Sequence, residues 1–320
     1  MNRIKLFLEL KQIYIYMLFL FLGIVFGLSF EHAKYVFEPF ISIFIIILMF
    51  GMFTQVPFFS LRNQRLNLKY LYALILSNFV FIPIFVFTLV SLFNISSTPL
   101  LIGLYLVLLT PCIDYVIVFT NLGKGNMEYM LISTPILFIL QMLLLPIYFL
   151  IFLNQDLSHY IDIRPFIETF LFMIILPLLA AVALQFLSIK SKTFTPLLNL
   201  SEWIPVPFMA LVLMTVVGSQ MSHIVSDSHH VLRVVPIYIC FMIIAPFVGL
   251  LAGKWFQLPV DLNRTLAFSA STRNALVVLP LALSLPNQWS SIVTTVIVTQ
   301  TLIELVGELI YIKLIPRLIK

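Results

Sequence analysis

The stretch Thr110-Pro111-Cys112-Ile113-Asp114-Tyr115 decides the fold, together with its continuation Val116 to Thr120 and the turn Asn121-Leu122-Gly123-Lys124-Gly125-Asn126. It begins inside an apolar run and ends in a glycine-rich loop. Its proline, thiol and carboxylate lie about twelve residues from either end of the run, which at about 1.5 Å per residue is near the bilayer midplane. A carboxylate at that depth is costly and points to function. A proline beside it implies a helix broken where neighbouring protein or a cavity takes up the freed backbone groups. Transporters build substrate sites from this combination.

The chain around this stretch is that of an integral membrane protein. Of its 320 residues, 62% are hydrophobic and 10% charged, against about 25% charged in soluble domains. The longest polar stretches are about a dozen residues, so no appended soluble domain is expected. Cys112 and Cys240 both lie in apolar runs, which implies neither a disulfide framework nor a metal site. The basic, then apolar, N-terminal region lacks a small-residue cleavage site and reads as a first span rather than a signal peptide.

Apolar runs long enough to cross a membrane fall near 12–30, 38–59, 69–93, 99–120, 127–153, 165–188, 200–220, 231–253, 262–285 and 289–314. Of the 18 lysines and arginines, Lys34, Arg164 and Arg233 fall on one side, Arg273 lies inside a span, and all others fall on the opposite side. That bias predicts a multi-pass protein of the cell membrane with both termini cytoplasmic.

The two halves repeat. Leu48-Met49 and Thr54-Gln55 match Leu213-Met214 and Ser219-Gln220; Pro83 matches Pro246; Gln141 matches Glu304. The offset is nearly constant. Five spans separate the copies, and an odd number inverts the second copy in the membrane. The expected fold is all-α: ten transmembrane helices in two inverted five-helix repeats, with crossed, discontinuous helices 4 and 9. The first repeat covers residues 1–153, the connecting segment 154–164 and the second repeat 165–320.

The same offset maps Pro111 and Cys112 close to Ser269-Ala270-Ser271-Thr272-Arg273-Asn274, a polar run inside span nine. The two breaks thus fall at matched depth, where substrates and coupling ions bind in such folds. Gln300, Glu304, Gly307, Glu308 and Tyr311 make one face of span ten. Glu304 sits deep enough to need a partner or a proton. Glu308 reads best as a cap on the cytoplasmic end of that span. The candidate substrate-binding residues are Thr110, Cys112, Asp114, Thr272, Arg273 and Asn274, and the candidate coupling-ion residues are Asp114, Glu304 and Gln141. Asp114 and Arg273 are expected to approach one another at the crossover, as a structural ion pair or as part of the site. Gly123 to Asn126 reads as a tight cytoplasmic turn.

The segment from Thr110-Pro111-Cys112 to Gly123-Lys124-Gly125-Asn126 resembles the fourth span of the arsenical-resistance permeases, a branch of the bile acid/sodium symporter superfamily. The Ser-Thr-Arg-Asn run ending at Asn274 is similar to the ninth-span crossover of that branch. The resemblance implies a ten-helix inverted-repeat transporter and a role for Cys112 in arsenite transport. One departure stands out. Arsenite permeases carry a glutamate a few residues after the ninth-span asparagine, and here Ala275, Leu276, Val277 and Val278 occupy those positions.

Two substrate readings follow. As(III) is soft and favours thiolate, which suits Cys112 and efflux of arsenite or a related small metalloid or anion. Arg273 with a half-helix N-terminus would instead hold an anion, which suits sodium-coupled uptake of an organic anion. The coupling ion is a proton or sodium, and the other partner is the lipid bilayer; no cofactor, resident metal or nucleic acid is implied. His-Glu-x-x-His, Gly-x-Ser-x-Gly and paired-aspartate motifs are absent from the sequence, so an intramembrane enzyme is not expected.

Overall fold

Prolines and polar residues shape the helices of the computed structural model, which describes residues 3–30, 33–55, 58, 67–113, 115–153, 168, 171–226 and 228–320. The connecting segment 154–164 and Asp114 lie outside the described residues. The described residues form α1 (Arg3–Ser29), α2 (Ala33–Gln55), α3 (Leu68–Leu76), α4 (Ile82–Leu92), α5 (Thr98–Leu108), α6 (Val116–Leu122) and α7 (Met127–Phe152). After these come α8 (Leu176–Lys190), α9 (Thr195–Ser201), α10 (Pro205–Ser226) and α11 (Ser228–Trp255). The last three are α12 (Val260–Ser271), α13 (Ala275–Leu283) and α14 (Asn287–Leu318).

Among the described residues, seven helical segments are long and apolar enough to cross a membrane: Tyr35–Gln55, Leu68–Leu92, Met127–Phe152, Leu171–Lys190, Thr195–Ser219, Val231–Trp255 and Trp289–Leu318. Tyr14–Ser29 and Thr98–Leu108 are apolar but shorter. The chain is an all-helical, multi-pass membrane protein. The runs near 99–120 and 262–285 each appear as two short helices, because both are interrupted midway. Side chains such as Leu150, Leu179, Leu251 and Trp255 are exposed on these helices, as lipid-facing residues are.

Two wide turns of π-helix, Ser77–Phe81 and Leu171–Ile175, each stand just before a proline, Pro83 and Pro177. A proline has no N–H for the carbonyl four residues back, and the helix answers by loosening one turn. At the first site Tyr148 of α7 donates its hydroxyl to the Phe79 carbonyl, at 2.6 Å; this is the carbonyl that Pro83 leaves without its usual donor. The loosened turn also carries the buried Asn78.

The chain forms two compact units. One comprises Met1–Gln55, Asp162–Ser228 and Pro280–Asn287. Within it α1 and α10 meet backbone to backbone: a Cβ on Gly23 would lie 2.7 Å from the Met214 carbonyl oxygen, and one on Gly27 would lie 2.7 Å from that of Gly218. Small residues permit such approach where no hydrophobic force separates helix from lipid. The end of α2 is held by Gln185, which donates to the carbonyls of Phe53 and Thr54 at 3.1 and 3.0 Å. The other unit comprises Val56–Ile161, His229–Leu279 and Gln288–Lys320, and it contains both breaks.

Candidate transport site

The first break follows from Pro111. It cannot donate to the Val107 carbonyl, and the Thr110 hydroxyl covers the exposed end instead, 2.8 Å from the Leu106 oxygen and 3.3 Å from that of Val107. The second break has no proline. There the polar run competes with the helix. Ser271 and Thr272 turn their hydroxyls back to the carbonyls of Ala267 and Phe268, at 2.8 and 2.7 Å. Thr272 is extended, with φ −97 and ψ 130, and the Asn274 side chain accepts the Val277 N–H at 3.2 Å to begin α13.

The two breaks satisfy each other. Cys112 N donates to the Thr272 carbonyl at 3.0 Å, and Asn274 N donates to the Thr110 carbonyl at 2.8 Å. They pair Pro111 with Arg273 as an isolated antiparallel bridge. Backbone freed at membrane depth needs such partners.

Helix α14 delivers two carboxyl groups to this bridge. Glu304 and Glu308 are both fully buried, and i, i+4 spacing puts them on one face. Glu304 accepts the Arg273 backbone N–H at 2.8 Å, the Gln300 amide at 2.5 Å and the Tyr115 hydroxyl at 2.5 Å. Glu308 lies 2.7 Å from the Thr272 hydroxyl. Two carboxyls one turn apart thus hold two consecutive residues of the second break. Glu308 is therefore not the end cap that its position in the sequence suggests, because α14 continues past it to Leu318 and its face turns inward.

Arg273 is fully buried. Its guanidinium donates to the Ser269 and Ala270 carbonyls, each at 2.7 Å, to Asn78 Oδ1 at 3.0 Å and to the Leu108 carbonyl at 3.5 Å. The Phe241 ring lies below it, 5.6 Å away. These carbonyls belong to the C-terminal ends of α5 and α12, where the helix dipoles favour a cation. Nε alone has no hydrogen-bond partner among the described residues.

The sequence-derived candidates therefore divide. Thr110, Cys112, Thr272, Arg273, Asn274 and Glu304 come together at the bridge. Gln141 is buried, and neither of its amide atoms has a partner among the described residues, so nothing bonds it to the bridge. The expected approach of Asp114 to Arg273 lies outside the described residues. Cys112 is fully buried. Sequence reasoning missed Asn78 and Tyr115. A lone asparagine five residues before Pro83 was the only local signal for Asn78.

At the end of α6, Gly123 to Asn126 closes as a turn, with Lys124 at φ 57 and Gly125 N donating to the Thr120 carbonyl at 2.8 Å. Asn126 ties the turn to α12 through Thr265 at 2.7 Å and Asp261 at 2.9 Å. Arg264 reaches from α12 to the Ile319 carbonyl, at 2.8 and 3.0 Å, and to that of Lys124 at 3.2 Å.

The sequence profile of the Sodium Bile acid symporter family matches residues 42–227, more than half of the chain. The chain belongs to the sodium bile acid symporter family. Members of this family are transporters, not enzymes, and move small molecules across a membrane coupled to ions. The symporter match includes the first break, whereas Arg273, Glu304 and Glu308 lie beyond it. A comparison with curated proteins finds no match.

Proposed function

We propose that this chain is a secondary active transporter built from two inverted five-span repeats, with the paired breaks as its substrate site. The composition of the compact units supports the repeat: residues 1–55 group with 162–228, and 56–161 with 229–279 and 288–320, each half contributing to both. The observation that carries the reading is the bridge of Cys112 to Thr272 and Asn274 to Thr110, with Glu304 bonded into it. A proline and a polar run that break two helices at one depth make that arrangement, and ion-coupled carriers place their sites in it.

The favoured substrate is arsenite or a related small metalloid, moved outward. The ninth-span glutamate expected of arsenite permeases is missing, yet a carboxylate from α14 reaches the same break. The guanidinium of Arg273 is fully buried, with Nη2 held by the Ser269 and Ala270 carbonyls and Asn78, so its charge is set against the helix ends and Glu304 and only Nε and Nη1 keep hydrogens for a ligand. That favours a neutral trihydroxide such as arsenous acid, with Cys112 as the thiolate ligand, over an organic anion. Sodium-coupled uptake of an organic anion is the second reading, favoured by the name of the matched family.

Growth in arsenite of cells expressing each variant at matched membrane levels tests the choice. Cys112→Ser is expected to abolish resistance and Cys240→Ser to preserve it. Full resistance with Cys112→Ser would sink the thiol mechanism and favour the organic-anion reading.

A further inference from the structure

The Thr272 hydroxyl oxygen lies 2.7 Å from the Phe268 carbonyl oxygen and 2.7 Å from Glu308 Oε1. A threonine hydroxyl has one hydrogen, and a carbonyl has none to offer. If Glu308 were ionised, one of these two contacts would set lone pairs against lone pairs at hydrogen-bond distance. The count closes when the carboxyl brings its own hydrogen: Thr272 donates to Phe268, and Glu308 Oε1–H donates to Thr272.

Two further observations agree. Glu308 Oε2 is buried and has no hydrogen-bond partner among the described residues. A buried carboxylate with a single partner costs far more than a neutral acid with the same partner. Glu304, one turn earlier, differs: the Gln300 amide and the Arg273 N–H both donate to its Oε2, and the Tyr115 hydroxyl, 2.5 Å from its Oε1 against 3.1 Å from the Arg273 carbonyl, gives its one hydrogen to the nearer oxygen, the surroundings of an ionised carboxylate. Its negative charge and the Arg273 guanidinium make a neutral set. A charge on Glu308 would have no counter-charge among the described residues.

We propose that Glu308 is a proton-binding site of the crossover, held as a carboxylic acid in this state and distinct from the ionised Glu304. The inference rests on the proposed transport reading for its purpose, and deepens it by naming the ion and the atom. The titratable or charged groups around it are Glu304 and Tyr311 on its own helix and Arg273 at the second break, with Tyr115 and Cys112 facing Arg273 from the first. When the proton leaves Oε1 for water, the Thr272 hydroxyl must swing its hydrogen from Phe268 to Glu308. Proton binding is thereby written into the backbone neighbour of the bridge.

Infrared difference spectroscopy of the purified full chain, without substrate, tests the site. The carbonyl-stretch band of a protonated carboxylic acid is expected at neutral pH in the unmodified protein, lost in Glu308→Gln and retained in Glu304→Gln. Thr272→Val removes the hydrogen-bond acceptor and is expected to shift the band; it decides the matter if Glu308→Gln fails to fold. Absence of the band, its persistence in Glu308→Gln, or an unshifted band in Thr272→Val would overturn the proposal. The readout needs no substrate, so its failure would leave the arsenite reading standing, and failure of arsenite resistance would leave the proton site standing.

Discussion

Glu304 binds Arg273 through the backbone: its carboxylate accepts the Arg273 N–H at 2.8 Å, while the guanidinium bonds to the carbonyls of Ser269 and Ala270. The carboxylate therefore fixes the path of the chain at the break, and the guanidinium fixes the helix ends. Removing either strands different groups.

For Glu304→Ala, the Arg273 N–H and the Gln300 amide lose their acceptor while remaining buried, whereas the Tyr115 hydroxyl keeps the Arg273 carbonyl at 3.1 Å. Each stranded group costs about 1–3 kcal/mol. The expected outcome is a large fall in thermal stability of the detergent-purified protein. Tyr115→Phe removes one donor only and should fall much less. Equal losses in the two variants would mean that Glu304 does not organise the break.

Arg273→Met should strand Asn78 Oδ1 and the carbonyls at the ends of α5 and α12, and sharply reduce the yield of folded protein. Asn78→Ala should be milder. Because both act on one contact, the double variant should depart from additivity by about 0.5–3 kcal/mol. Additive losses in a thermal-melt cycle would contradict the 3.0 Å bond between them.

Tyr148→Phe removes the donor to the Phe79 carbonyl and should cost about 0.5–1.5 kcal/mol. Pro83→Ala restores an N–H to the helix. Adding it to Tyr148→Phe should recover stability in the same melt. A double variant weaker than Tyr148→Phe alone would show that the wide turn at Ser77–Phe81 has another cause.

Gly27→Leu tests the first unit apart from the site. The added side chain would collide with α10 at Gly218 and Met221, and overpacking of this kind costs about 1–3 kcal/mol. Lower stability is expected, with the infrared band at the crossover unchanged. A stable Gly27→Leu protein would mean that the α1 and α10 backbones do not approach closely.

Much of this was legible before any coordinates. Pro111 and the run Ser269 to Asn274 stand out because polar or donor-less residues are rare inside apolar runs, and both proved to be places where a helix stops. The repeat offset brought the two breaks to one register. Partner choice was not legible. The sequence places Glu304 and Glu308 on one helical face, but nothing local says that one meets a main-chain N–H and the other a hydroxyl. Among the described residues, the Arg273 side chain meets the carbonyls exposed because α5 and α12 end beside it, partners that nothing local announces. Asn78 became a partner only because the turn before Pro83 loosens, a tertiary outcome that a single asparagine does not announce.

The bridge between the breaks has two main-chain rungs, beside the Tyr115 hydroxyl 3.1 Å from the Arg273 carbonyl, and the two rungs set the least that parting costs. At a net of about 0.5–1.5 kcal/mol per bond, both together hold it by about 1–3 kcal/mol. The parted form then makes up at most from about one molecule in six down to about one in a hundred and fifty. The amide hydrogens of Cys112 and Asn274 should accordingly trade for deuterium together, and sooner than their neighbours within α5 and α12. Parting uncovers two N–H groups and two carbonyls facing one another, a matched set for a small polyhydroxy solute that can stand in for both rungs while it passes.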